Sequence, residues 1–71
     1  MMSTEVPPPQ TPIEILQTAL KKENDAYHFY EALLNATTVL FLKELLEKLR
    51  DEEHKHILMI QKEIAKITSG T

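Results

Sequence analysis

Among its 71 residues the chain has no cysteine, no tryptophan and a single glycine. Without cysteine there is no disulfide, no iron–sulfur cluster, no thiolate zinc site and no cysteine nucleophile. Carboxylate and imidazole are left as metal ligands, a donor set that suits iron, manganese or zinc. No apolar run approaches the 18 or so residues of a membrane span, and the first dozen residues carry no basic apolar leader. Neither a membrane protein nor an exported one is therefore expected, and the expected compartment is the cytoplasm. Positive charge is also scarce: 8 basic residues are interspersed with 11 acidic ones for a net charge of −3. No basic patch is available to grip a phosphate backbone, so nucleic-acid binding is not expected. The length allows one small domain, too short to build a large core unaided, which points to self-association.

The other punctuation is concentrated at the ends. Residues 1–10, with Pro7-Pro8-Pro9, form neither helix nor buried strand and read as a disordered, extended arm. Thr11-Pro12-Ile13-Glu14 then supplies a helix start: Thr11 caps, Pro12 sits where a missing N–H costs nothing, and Glu14 reaches back to close a capping box. The first helix is predicted from about 12 to 35, with Leu16, Leu20, Glu23, Tyr27, Tyr30 and Leu34 on one stripe and Ile15, Ala19, Ala26, Phe29 and Leu33 beside it. Neither glycine nor proline marks its end. Phase marks it instead, because the heptad series 16, 23, 30 would continue into Thr37, Glu44 and Asp51, whereas the apolar series actually runs Leu42, Leu46, Leu49. Asn35, Thr37 and Thr38 favour caps and turns over helix interior. A second helix is predicted from about 38 to 67, with Gly70 as a C-cap glycine. The fold class is thus all-α, an antiparallel helical hairpin over residues 11–68.

On the second helix the apolar stripe Leu42, Leu46, Leu49, Ile60, Ile64 and Ile67 is interrupted by Glu53 and His56. These two are three apart, so on a helix they lie on one side, about 5–6 Å apart at Cβ, and can hold one metal between carboxylate and imidazole. The same pair would also serve as a hydrogen-bonded polar contact inside an oligomer interface. Asp51 with His54, and Asp25 with His28, share the spacing but have polar neighbours and read as solvated surface. With the turn centred near residue 38, Glu23 and Glu53 each lie 15 residues from it. They therefore stand at equal height on facing helices, and Glu23 joins Glu53 and His56 as a candidate metal ligand and catalytic residue.

Two apolar faces per helix are more than a lone hairpin can bury. A homodimer about a two-fold axis makes a four-helix bundle with one shared core, and higher homo-oligomers are compatible with the same surfaces. Symmetry then doubles the ligands to four carboxylates and two imidazoles, the set of di-iron carboxylate bundles. On Glu23 with Ala26 and Phe29-Tyr30 (ENDAYHFYEAL), and on Glu52-Glu53-x-x-His56 (EEHKH), the stretch from about 13 to 67 resembles the ferritin-like superfamily. The resemblance is to its rubrerythrin-like branch and to the half-length, encapsulin-associated ferritins that build a ferroxidase site between two subunits. It implies a ferritin-like bundle with a di-iron centre that oxidises Fe(II) with O2 or peroxide, for iron storage or detoxification. It further implies Glu53 as a bridging carboxylate, Glu23 as a terminal or chelating one and His56 as the nitrogen ligand. Tyr27, one turn beyond Glu23, is then placed to hydrogen-bond a ligating carboxylate. Glu31, His28 and His54 would either gather incoming Fe(II) or be ordinary solvated groups. The chain departs from these relatives in carrying one ligand-bearing hairpin and no rubredoxin module, and no segment that would target an encapsulin shell is evident. Two other readings stay open: a metal-free helical oligomerisation module, and a non-redox zinc- or manganese-binding bundle. Metal-independent acid–base hydrolysis by Glu23 and Glu53 is disfavoured, since a packed hairpin offers no substrate cleft.

Overall fold

A computed structural model describes residues 11–70 as two helices, α1 (Pro12–Ala36) and α2 (Leu40–Thr68), packed side by side as a hairpin. The arm expected at 1–10 lies outside the described residues. Helix α1 opens with the capping box: the Thr11 hydroxyl accepts from the Glu14 N–H at 3.1 Å, and Glu14 Oε1 accepts from the Thr11 N–H at 3.1 Å. Two of the orphan donors of the first turn are thereby satisfied, and Pro12 has none to offer.

The connection is three residues, Thr37, Thr38 and Val39, and it explains how a tight turn forms without glycine. No residue other than Gly70 has a positive φ among those described. Thr37 (φ −119°, ψ 147°) and Val39 (φ −78°, ψ 116°) are both extended, the conformation that β-branched side chains favour. The Thr37 hydroxyl accepts from the Val39 N–H at 3.1 Å and holds the chain in its reversal. Helix α2 consequently begins at Leu40, two residues beyond the sequence expectation, with the Val39 carbonyl accepting from Leu42 and Lys43. At the far end Ser69 donates to the Ala65 carbonyl and Gly70, at φ 79°, to that of Ile67. That positive φ is the reason for glycine there.

Between the helices lies a thin seam. Among the described residues Leu34 and Ile57 are the buried hydrophobic ones, and Leu16, Leu20, Leu42, Leu46, Leu49, Ile60 and Ile64 are half-buried. At 100° per residue the helical positions sort into two sides of the hairpin. One side carries Tyr27, His28, Glu31, Glu47, Arg50 and His54 and is polar. The other carries Ile15, Ala19, Ala26, Phe29 and Leu33 from α1 with Leu45, Leu49, Ile60 and Ile67 from α2. Several of its large side chains are half open to solvent, Phe29 at 59% and Leu45 at 50% among them. Among the described residues no helix is long and apolar enough to cross a membrane.

Candidate metal centre

Glu23, near the middle of α1, faces Glu53 and His56 on α2, as their equal distances from the turn predict. His56 Nδ1 lies 3.1 Å from Glu23 Oε1 and 3.4 Å from Glu53 Oε1. One ligand atom from each of the three lies within 4.8 Å of the others, a separation small carboxylate rotations close around one ion with bonds of about 2.0–2.2 Å. The group could coordinate a metal ion through two oxygens and a nitrogen. Because Nδ1 is the nitrogen turned to both carboxylates, it is the atom that would bind.

The electrostatics of the three groups are uneven. Nδ1 makes its hydrogen bond with Glu23, and Glu53 Oε1 is left buried with no hydrogen-bond partner among the described residues. No lysine or arginine forms an ion pair with either acid among those residues; Lys22 acts on Glu23 only at longer range. Two carboxyls facing one another resist ionising together, and the two are pushed in opposite directions. Glu23 holds the Glu53 carboxyl above its usual range, and burial adds to the effect. The Glu53 carboxyl beside it, with His56 alongside, keeps Glu23 below the usual range against the opposing pull of desolvation. The Glu23 contact raises His56. A divalent cation would replace protons here and satisfy the orphaned oxygen at the same time.

The setting of the cluster matters as much as its members. Glu53 and Glu23 line an open groove with Thr18, Lys21, Lys22, Asp25, Ala26 and Phe29, on the apolar side of the hairpin. His56 stands at the edge of the seam, its side chain 44% exposed against 19% for Glu53 and 24% for Glu23. Ile57, which the sequence stripe passed over, fills the inward position next to it and is buried. The three side chains therefore meet at the edge of the seam, beside a surface flanked by hydrophobic side chains.

The residues assigned to the surface behave as such. Asp51 pairs with Arg50 at 3.1 Å, Asp25 with Lys21 at 3.0 Å, and exposed His28 lies 3.6 Å from Glu31. Tyr27 makes no hydrogen bond with the cluster among the described residues. Its ring lies against His28 and His54, with centroids 5.5 and 6.1 Å away, on the polar side. No family model matches the chain, and neither a curated protein nor a solved structure does.

Proposed function

We propose that Glu23, Glu53 and His56 bind a metal ion, and that two hairpins close over the face bearing them to give a ferritin-like four-helix bundle with a di-iron centre. The observation that carries this reading is Glu53 Oε1, a buried carboxyl oxygen without a donor among the described residues, beside a second carboxyl and an imidazole nitrogen. Leaving such an oxygen unpaired costs about 1–3 kcal/mol, and a cation removes that cost. The apolar side chains around the cluster support the closure. Ile15, Phe29, Leu33, Leu45 and Ile67 are partly exposed large residues on that face, while Ala19 and Ala26, one turn either side of Glu23, let a second backbone come close.

With the second copy in place the ligands number four carboxylates and two imidazoles. Glu53, Glu23 and His56 of each copy would hold the metal, the acids through oxygen and His56 through Nδ1. Hard oxygen donors favour Fe(III) over Fe(II), so the site suits Fe(II) as substrate with O2 or peroxide as oxidant. The protein's own part is to set the two carboxyls beside one another so that a cation displaces the proton their proximity favours, to fix His56 Nδ1 toward the metal and to exclude bulk water with the apolar rim.

Anaerobic Fe(II) loading followed by mixing with oxygenated buffer tests this. Wild type is expected to develop ferric absorbance rapidly with about one iron per chain, and Glu53→Ala and His56→Ala are expected to lose both. Stoichiometric metal binding without ferric absorbance would instead identify a non-redox zinc or manganese site. No metal binding at all would leave the helical oligomerisation reading.

A further inference from the structure

The cluster face accounts for the exposed hydrophobic residues Ile15, Phe29 and Leu33 of α1 and Leu45 and Ile67 of α2, but not for four others on α2. Leu40 and Phe41 are each 70% exposed, Leu58 is 52% and Met59 61% exposed, and all four lie on the outward half of α2, turned away from α1, with Met59 one turn beyond His56. They form two pairs 18 residues apart, Leu40-Phe41 and Leu58-Met59. Eighteen residues are five full turns, so the pairs share one azimuth and lie about 27 Å apart along the helix. Between them the back of α2 carries Glu44, Lys48, Asp51, Glu52 and Lys55, all exposed. Among the described residues Glu44 and Lys48 make no ion pair, while Lys55 is 3.4 Å from Glu52 and Asp51 pairs with Arg50.

This pattern is complementary to itself when reversed. Two copies of α2 laid antiparallel about a two-fold axis between residues 49 and 50 bring Leu40 against Leu58 of the second copy and Phe41 against its Met59. The same register sets Glu44 against Lys55 and Lys48 against Asp51 and Glu52. Every contact occurs twice, as an isologous interface requires, and each charged residue meets one of opposite sign. Glu47 and Glu52 also come to equal height in this register, but they project from opposite flanks and do not meet.

We infer that the back of α2 is a second self-association surface, on which another copy of this chain docks antiparallel, separate from the face that carries Glu23, Glu53 and His56. This goes beyond the metal reading and does not rest on it. Its apolar ends supply the attraction and its alternating charges fix direction and register, since a parallel pairing would set each Glu44 and each Lys48 against its own kind. Combined with the proposed closure over the cluster face, this surface gives species of at least four chains; without that closure it gives a dimer.

Charge reversal with mixing tests the contact in the full chain. Glu44→Lys and Lys55→Glu each place like charges together twice per interface. Either variant alone is expected to sediment at no more than half the mass of the wild-type assembly. An equimolar mixture restores opposite signs at every contact and is expected to recover the wild-type mass, a result that misfolding of either variant would not produce. Iron per chain, measured on the same samples, is expected to stay at the wild-type value. Single variants that assemble like wild type would overturn the inference, as would a mixture that stays at the lower mass. Either result with normal iron content leaves the metal reading intact, whereas rescue by mixing with no iron bound overturns the metal reading alone.

Discussion

Replacing Glu53 with Gln removes a metal ligand while keeping its shape, and its consequences for stability depend on whether metal is present. In the apo hairpin Glu53 Oε1 is a buried acceptor with no partner among the described residues, and the neighbouring Glu23 holds the Glu53 carboxyl above its usual range. An amide carries no charge to desolvate, and its NH2 donates to Glu23 at every pH. Relieving one unsatisfied buried acceptor is worth on the order of 1 kcal/mol. In a domain of 60–100 residues that corresponds to a rise in Tm of about 4–8 °C. The metal-saturated wild type, in contrast, gains stability by mass action, about 2.7 kcal/mol at a hundredfold excess over Kd. Glu53→Gln should forfeit that gain. Thermal melts by circular dichroism at fixed chain concentration, with chelator and with saturating Mn(II), measure both arms. The substitution is expected to raise the chelated Tm and to abolish the metal-dependent increase. A lowered chelated Tm together with an undiminished metal shift would refute the reasoning, because Glu53 would then be neither a strained acid nor a ligand.

The remaining predictions concern pH, register and packing. Glu53 and His56 bind protons more readily in the folded chain than their unfolded reference values of 4.5 and 6.5, so apo stability should rise as pH falls through the raised His56 and Glu53 values. Below about 4.5 the depressed Glu23 reverses the trend, since the unfolded chain then takes up a proton that folded Glu23 refuses. Urea denaturation of chelated protein across this range checks both signs, and Mn(II) affinity should run the opposite way, weakening as pH falls. His54→Ala and Asp51→Ala are expected to leave Fe(II) oxidation nearly unchanged in stopped-flow absorbance, since both residues lie on polar parts of α2. Ile57→Ala opens a cavity in the narrow seam and is expected to cost about 2 kcal/mol or more, read as a lower urea midpoint. Thr11→Ala removes one half of the capping box and should cost about 1 kcal/mol in the same assay.

Much of this arrangement could be read from residue order because helices impose a period. The capping box at Thr11 and Glu14, the hairpin, and the equal heights of Glu23 and Glu53 all follow from spacing alone. What the pattern could not show was conformation at positions where several residue types would serve. The turn uses extended Thr37 and Val39 with a hydroxyl bond between them, so no glycine was needed and α2 starts later than its phase suggested. Ile57 was hidden because a stripe drawn through Glu53, His56 and Ile60 runs along one edge of the buried surface rather than its centre. In the lone hairpin the centre falls on Ile57, which leaves His56 half exposed on the side where a second copy would lie. Tyr27 has the spacing of a hydrogen-bond partner for Glu23, yet its ring turns to His54 on the opposite side; helical spacing fixes azimuth to about one residue and does not choose between neighbours at the seam.

Native mass spectrometry of anaerobically Fe(II)-loaded protein, compared directly with His56→Ala, tests the shared centre most directly. The account predicts iron in proportion of one per chain, found only in species with an even number of chains, and none retained by His56→Ala. Iron held stoichiometrically by single chains, or retained after His56 is removed, would contradict it.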